Sequence, residues 1–399
     1  MNEEKLTSTS GCPFHGVEKI ASLSQSSEEI SADPFAYLDL QLQSGADYIE
    51  LPGTEWYLSD PNQMKQVLAN KEGLFHQHSD FFFGGAGLIG DSTLQQKLGR
   101  VLLKQLQEYC LDTAELTTLA QGLRNKQTCW PDEGNLLFYS YFKGLLLDGG
   151  DSATLRSLLD KTIPRVVFSG AKSRRPTWRR KLFQIRFYWR MAQAIDQRRD
   201  GQFKDANDLL SLLVREAGSD LDNTQLTEVY LSCLFALTGS LGFTLGWSLY
   251  QLGQTLPNCW EQIDSSDIVR ESLRLWPIAW NLTRSSTTPI EIAGQSLSSL
   301  VVCPYTAHRN PKFWPDADQF MPQRWADANK DTPFLAFGWG THKCVAASLS
   351  VRLVALILDH IRPASPTIQL LTLRPLPEAA LAPPRFILSF IPGESDAKQ

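Results

Sequence analysis

The segment Phe334–Leu349, which reads FLAFGWGTHKCVAASL, constrains the fold of this 399-residue chain more than any other stretch. Two glycines at alternate positions precede a histidine and a lone cysteine, Cys344, and an apolar helical run follows. Gly338 and Gly340 can adopt φ > 0, so a tight loop can form ahead of the cysteine. Backbone N–H groups in this loop and at the start of the next helix can point at the sulfur and stabilise a thiolate. The segment therefore predicts a thiolate metal ligand at the entry to a helix, with a buried structural cysteine as the plainer alternative.

Six positions of this segment match a known pattern. The cysteine loop of the cytochrome P450 haem-thiolate enzymes reads FGxGxHxCxG/A, and its fixed places correspond here to Phe337, Gly338, Gly340, His342, Cys344 and Ala346. The sequence resembles that family over residues 33–392, closely in the C-terminal third and loosely before residue 230. The resemblance implies a bound haem b whose iron is held by Cys344. It also implies that Phe337 shields the sulfur from water, that Gly338 belongs to the haem-binding loop and that His342 binds a haem propionate.

Further motifs occur in the family's order. Glu271 and Arg274 form an ExxR motif, whose spacing of three puts carboxylate and guanidinium on one face of a helix. Arg324 matches the third member of the family's Glu-Arg-Arg cluster, and residues 307–311 match its short AxRxP segment. The resemblance implies that this buried cluster supports the cysteine loop and is not catalytic, since such clusters fix geometry better than they add stability. Arg284 matches a propionate-binding arginine.

The long apolar helix at 231–252 aligns with the helix that crosses the distal face of the haem in the family. The family's acid–alcohol pair falls on Gly239 and Ser240, so the acid is missing and the alcohol is serine. Ser240 is the catalytic candidate of this helix, while Phe235 and Gly239 are expected to face the substrate. Without the acid, protons must come from ordered water, another pocket residue or the substrate itself. Alternatively, Gly239 simply makes room for a bulky substrate.

Two other regions are expected to complete the pocket. Phe81 and Phe82, in a glycine-broken aromatic loop, either roof the substrate pocket or fill the core. Ala279 and Trp280, just before Arg284, are expected to line it.

The helix that follows Ser92 departs from the family. Relatives carry a histidine and an arginine four residues apart there, both of which bind haem propionates. This chain has Gln95 and Gly99 instead, with Arg100 one place off. Gln95 or Arg100 could substitute as a propionate ligand.

Composition favours an ordinary globular protein, with 43% hydrophobic and 20% charged residues and a net charge of −5. This mild acidity gives no reason to expect nucleic acid or an anionic membrane as a global partner. Seven scattered cysteines without a CxxC pair indicate reduced thiols in a cytoplasm. No run of about 18 apolar residues occurs, so no spanning helix is predicted. We expect a flexible lead-in at 1–30 and, over 31–399, one mainly helical domain with small β elements around a buried haem.

A strongly basic stretch occupies residues 172–190, where eight lysines and arginines occur without an acid. A solvated helix face is one interpretation. The other is steering of an anionic substrate or an acidic partner towards the entrance of the pocket.

The resemblance implies a monooxygenase-type oxidoreductase that acts on a small molecule of secondary metabolism. The missing acid favours an aromatic or phenolic substrate that supplies its own proton, with radical coupling as the outcome. The alternatives are conventional hydroxylation or epoxidation of an apolar substrate, and a catalytically reduced haem protein that binds a ligand or recruits a partner. Electrons are expected from a ferredoxin or flavodoxin that docks on the cysteine side, where Lys343, Arg352 and Lys104 offer positive charge.

Overall fold

A computed structural model describes most of the chain. The described residues are 33–43, 45–51, 55–77, 92–148, 150–162, 177–254, 263–292, 295–326, 332–340, 343–364, 366–377 and 380–390. The predicted lead-in at 1–30 lies outside them. Within these ranges the protein is mostly helical with small sheets, as the sequence predicts.

The helices account for most of the described chain. They are α1 Pro34–Gln43, α2 Pro61–Ala69, α3 Ser92–Tyr109, α4 Ala114–Leu123, α5 Asp132–Leu146, α6 Ala153–Thr162, α7 Thr177–Arg199, α8 Leu209–Ala217, α9 Asn223–Phe235, α10 Leu241–Gln254, α11 Ser265–Leu275, α12 Pro304–Arg309 and α13 Ala347–Ile361. A π-helical turn, Ala236–Ser240, joins α9 to α10, and short 3₁₀ turns occur at Pro322–Trp325 and Arg362–Ala364.

Local signals explain several helix boundaries. The side chain of Asp60 accepts hydrogen bonds from Asn62 N and Gln63 N, and Pro61 is the first residue of α2. Asn70 ends that helix in the left-handed conformation, with φ of 44°. A cap, a proline and an αL-tolerant residue thus bracket the apolar face of α2.

Three small sheets flank the helices. The strands are β1 Tyr48–Leu51, β2 Glu55–Leu58, β3 Phe75–Gln77, β4 Thr128–Trp130, β5 Leu282–Ile292, β6 Gln295–Val302, β7 Pro366–Leu370, β8 Leu376–Pro377, β9 Leu381–Ala382 and β10 Phe386–Phe390. The largest sheet has the order β1-β2-β6-β5-β3, with β2 and β6 parallel at Tyr57 opposite Val301. The others have the orders β4-β10-β7 and β8-β9. In the first sheet, Arg284 of β5 lies opposite Leu300 of β6.

The continuous helical run from Asn223 to Gln254 forms the centre of the main hydrophobic core. By length and by a mean hydropathy of 1.5 it could also cross a membrane, but 72% of its most apolar window is buried within the fold. Burial on nearly all sides is the pattern of a core helix in a globular protein. α5 and α11 pack directly against α10, and α13 packs on α11. This arrangement leaves the π turn facing the segment that carries Cys344.

Candidate functional site

The segment before Cys344 is a closed loop. Gly338 and Gly340 have φ of 71° and 69°, which are left-handed conformations that favour glycine. Gly338 N donates to Leu335 O at 2.9 Å, and Cys344 N donates to Phe337 O at 2.8 Å. The loop therefore places the sulfur just before α13, as the glycine spacing predicts.

Gly340 anchors this loop on α2. A Cβ at this position would lie 2.7 Å from Ala69 Cα and 2.9 Å from Leu68 O, both of which are backbone atoms. The ammonium of Lys65 lies 4.8 Å from the ring centroid of the neighbouring Trp339. Glycine is thus required at position 340 both by conformation and by close approach.

The thiol of Cys344 lies on a cavity wall, where water can reach its surface although it sits below the outer surface of the protein. Burial raises the pKa of this thiol, while a hydrogen bond from the backbone N–H of Ala346 and the charge of Lys343 act in the opposite direction. A thiol held this way is stable in the neutral form until a cation binds the sulfur. The electrostatics therefore suit a ligand that ionises when it coordinates a metal.

A buried ion cluster lies behind the loop. The Glu271 carboxylate accepts from Arg274 Nε at 2.9 Å and Nη2 at 2.8 Å, and from Arg324 Nε at 3.0 Å. Trp325 Nε1 and Met321 N each donate to it at 3.0 Å. Glu271 and Arg274 are completely buried. Because every oxygen has charged or N–H partners, the cluster fixes the relative positions of α11 and the 3₁₀ turn.

His308 connects this cluster to the cysteine loop. Its Nε2 accepts from Leu335 N at 2.7 Å, so its Nδ1 carries the proton and donates to Arg274 O at 2.9 Å. The ring also stacks on Phe334, with centroids 5.5 Å apart. Burial, reinforced by the positive charge of Arg274, lowers the pKa of His308 to about 3. The imidazole is therefore neutral and links α11 to the cysteine segment through two hydrogen bonds. The sequence analysis did not single out His308, although its position inside the AxRxP segment is a signal that could have revealed it.

A cavity of about 440 Å³ separates the cysteine loop from the π turn. Its walls come from α2, α3, α5, α8, α9, the π turn, α10, α11, β5, α13 and the segment that carries Cys344. Among the described residues that line it there is no aspartate or glutamate. Its lining is mostly leucine, phenylalanine and alanine, and its polar side chains are Gln105, Ser240, Thr244, Arg284 and Ser350 with the thiols of Cys233 and Cys344.

Arg284 is the test of whether this cavity fits a haem. Arg284 is 4% exposed and lines the cavity. Within the described chain, its Nη1 donates a hydrogen bond to the neighbouring backbone oxygen, Thr283 O, at 2.9 Å. Burial lowers its pKa to about 10, with no carboxylate contributing to the shift. A buried guanidinium needs an anion, and a haem propionate supplies one. With a thiol ligand, a buried cation and an apolar wall on one cavity, the residues present fit haem b.

The π turn and the start of α10 carry the hydroxyl side chains on the wall opposite Cys344. Thr238 Oγ1 donates to Leu234 O and Thr244 Oγ1 donates to Ser240 O, both at 2.7 Å, so these two hydroxyls are occupied by backbone bonds. Ser240 lines the cavity directly. Gly239 is buried within the turn. π-helical turns are frequent at functional sites, because their extra residue shifts the face of a helix.

Several predicted site residues come together here. Phe337, Gly338 and Cys344 form one wall of the cavity, and Phe235 and Ala279 lie on others. Trp280 is not among the described residues that line the cavity, so its contact with the substrate stays a prediction. Its ring is buried against Phe35 and Tyr57, at centroid distances of 5.0 and 6.4 Å.

Gln95 and Arg100 also lie away from the cavity, whose α3 wall consists of Leu102, Gln105 and Leu106. Arg100 is exposed, because it sits about 160° around the helix from Leu102. Gln95 shares the face of Leu102 but lies roughly 10 Å further along the axis. Their predicted propionate contacts therefore lack support from this geometry. Phe81, Phe82 and His342 lie outside the described residues.

Comparisons with known proteins identify relatives of this chain. The family model described as "Cytochrome P450" matches residues 266–361. Cyclooctat-9-en-7-ol 5-monooxygenase from Streptomyces melanosporofaciens is 30% identical over 209 residues, which cover 43% of this chain and 45% of that protein. The chain thus spans less than half the length of that relative. A Mycobacterium tuberculosis protein named as cytochrome P450 135B1 is 23% identical over 352 residues, covering 76% of this chain and 74% of that one.

The fold is that of solved P450 structures. The haem domain of the Tepidiphilus thermophilus P450 superimposes with a TM-score of 0.70 at 15% identity, covering 94% of this chain and 97% of that chain. At this identity the similarity concerns the fold alone.

Proposed function

Because the chain belongs to the cytochrome P450 superfamily, we propose that it is a haem-thiolate monooxygenase and that its substrate is a bulky apolar molecule. The observation that carries the haem proposal is the cavity that joins Cys344, Arg284 and Ser240. The substrate proposal rests on the apolar side chains that the helical run opposite Cys344 presents to this cavity: Phe235, Ala236, Leu237 and Leu241. Apolar pockets with a few polar groups select ligands by shape and burial.

Haem, when bound, would supply dioxygen activation at a thiolate-ligated iron. The chain contributes position, charge and exclusion of water. The Cys344 loop and Ala346 N–H hold the sulfur, and Arg284 offers a buried cation to a propionate. Ser240 is the hydroxyl of the π turn that can hold a water or a substrate group on the opposite wall.

We rank hydroxylation of an apolar substrate, an alternative at the level of sequence, ahead of the phenolic hypothesis. A phenol would need a hydrogen-bond partner in the cavity. In the described π turn, Ser240 is the polar side chain that lines it. The other lining residues of the same helical run are apolar: Phe235, Ala236, Leu237 and Leu241. The name of the Streptomyces relative describes oxygenation of a cyclooctatenol. Both observations favour hydroxylation of a hydrocarbon-like skeleton.

Oxidative coupling of an aromatic or phenolic substrate remains the second candidate, and one observation favours it. No carboxylate lines the described part of the cavity, and the resemblance to the family implies that its acid falls on Gly239. A substrate with its own O–H could then supply the proton. Gly239→Asp separates the two: improved coupled turnover with unchanged substrate binding would show that the wild-type site lacks a donor and would contradict substrate assistance.

We further propose a ferredoxin or flavodoxin type electron donor. Lys343 and Arg352 are exposed on the side of the cysteine segment and can attract an acidic partner. Lys104, also predicted for this role, is exposed and lies 3.9 Å from Glu108, which partly neutralises it. A cytoplasmic location stays a prediction.

The test uses holoprotein with a surrogate ferredoxin and ferredoxin reductase. Polycyclic hydrocarbons and phenols are first compared by the shift that they cause in the Soret band. Turnover under ¹⁸O₂ then reports the reaction. Hydrocarbon binding with one labelled oxygen in the product supports the proposal. Phenol binding with unlabelled, coupled products would establish the second candidate, and binding without any turnover would indicate a haem protein of reduced catalytic function.

A further inference from the structure

The outer face of α7 exposes four large apolar side chains in one line. Trp178, Leu182, Ile185 and Trp189 are 57%, 56%, 66% and 53% exposed. Their spacings of four, three and four residues are those of successive a and d positions in a heptad. We name these four residues the α7 seam.

The α7 seam is separate from the face by which α7 packs on the protein. That inner face buries Phe187, Met191 and Ile195 against the rest of the fold. Long apolar side chains on the outer face of a surface helix therefore do not serve the core. A line of exposed apolar residues of this size marks an interaction site.

Cations flank the seam on both sides. Arg179, Lys181 and Arg186 occupy the positions that adjoin an a/d seam. The guanidinium of Arg179 lies 5.1 Å from the Trp178 ring, and that of Arg190 lies 4.5 Å from the Trp189 ring. No acid occurs between residues 177 and 195, although the whole chain has a net charge of −5.

The charge and width of the seam select its partner. A second copy of α7 would place these cations against one another, which disfavours self-association. A stripe of a and d positions alone is the narrow seam of a coiled coil, whereas a helix that packs on a broad apolar core has an apolar face at least about 100° wide. The seam spans roughly 60° at 100° per residue. A narrow apolar line between rows of cations matches a helix with an apolar seam of its own and flanking carboxylates. We propose that the α7 seam is the docking site of an acidic helical protein.

The location of the seam separates this docking site from the electron-donor surface. α7 packs across α8 and α9. Leu209, the first residue of α8, and Phe235, the last of α9, both line the cavity. A protein docked on α7 therefore lies one helical layer above the substrate cavity, away from Lys343 beside the cysteine loop.

The test measures binding of a synthetic acidic helix to the holoprotein. The probe is a fluorescein-labelled peptide of three heptads, with leucine at a and d and glutamate at the flanking positions, followed by fluorescence anisotropy. Leu182→Glu combined with Ile185→Glu should weaken binding at least about tenfold, because it places charge in the centre of the interface. Leu373→Glu, at a side chain that is 68% exposed elsewhere, should leave binding unchanged.

Charge gives the second arm. Arg179→Glu combined with Arg186→Glu should weaken binding strongly at low salt and less at high salt. Circular dichroism checks that each variant is folded, which is expected since all four positions lie on the outer side of α7. Equal affinity of wild type and both seam variants, or no binding of the peptide at all, would overturn the proposal. Cosedimentation with anionic phospholipid vesicles without peptide binding would also overturn it, in favour of a lipid surface.

Discussion

Replacement of Glu271 by alanine tests the idea that the buried ion cluster holds the cysteine loop. The carboxylate accepts five hydrogen bonds, three of them from the guanidinium groups of Arg274 and Arg324. Without it, Arg274 keeps its bonds to His308 O, Ala317 O and Gln319 O but loses its counter-charge in a fully buried site.

The expected magnitude follows from that burial. Removal of one partner from a buried pair costs about 3–5 kcal/mol, because an uncompensated charge remains. Domains have total stabilities of roughly 5–15 kcal/mol, so the variant should lose a large part of its free energy of unfolding. A half-exposed pair on the same helix gives a scale: Arg270 bonds to Asp267 at 2.6 Å with 42% of its side chain exposed. Its loss should cost at most about 1 kcal/mol.

Urea unfolding of the purified holoproteins, followed by circular dichroism, compares wild type, Glu271→Ala and Arg270→Ala. The midpoint should fall far more for Glu271→Ala, with a reduced yield of haem-loaded protein. If the two variants lose the same small amount of stability and both keep full haem occupancy, the cluster does not support the loop, and the reasoning from burial is refuted.

Three further predictions concern the same site. Arg284→Met should release haem faster to excess apomyoglobin while apoprotein stability does not fall, because a buried cation without a counter-ion is removed; a less stable apoprotein with normal haem retention would contradict this. Gly340→Ala should destabilise the protein well beyond Gly45→Ala in thermal unfolding, since both have positive φ but only position 340 meets backbone, at 2.7 Å; equal losses would argue against the contact. For His308, the unfolded chain takes up a proton below its ordinary pKa of 6.5 and the native state only near 3. Native stability should therefore fall by about 1.4 kcal/mol per pH unit across that window, and His308→Phe should flatten this slope in urea midpoints measured against pH; an unchanged slope would show that another group causes it.

Local patterns made the cysteine side of the site predictable. The alternate glycines, the cysteine and the start of α13 lie within a few residues of one another, so spacing alone fixes their geometry. The ExxR pair is equally local, since three residues of helix bring Glu271 and Arg274 onto one face. Both features appear in the structure where the sequence places them.

Residues whose role depends on orientation were harder to predict. Trp280 follows the end of α11 in an irregular segment, where no periodicity states which side faces the cavity. Arg100 lies on a helix, but a shift of one residue turns a side chain by about 100°. His308 bonds to Leu335, which is 27 positions away, and such a contact exists only once the chain is folded.

The lining of the cavity shows the same limit. Leu106, Leu145, Phe235, Leu282 and Leu353 belong to five different elements that meet only in the folded protein. The sequence therefore predicts a haem-thiolate site, whereas the substrate class depends on side chains that only the tertiary structure brings together.

The absorption spectrum of the reduced, CO-treated holoprotein tests the central claim most directly. If Cys344 is the thiolate ligand of the iron, wild type should show the red-shifted Soret band of thiolate-ligated haem, and Cys344→Ser should lose it. The control is Cys303→Ser, which should keep the band because Cys303 is buried outside the cavity lining. Persistence of the red-shifted band in Cys344→Ser would mean that another residue binds the iron, and would contradict the account of this site.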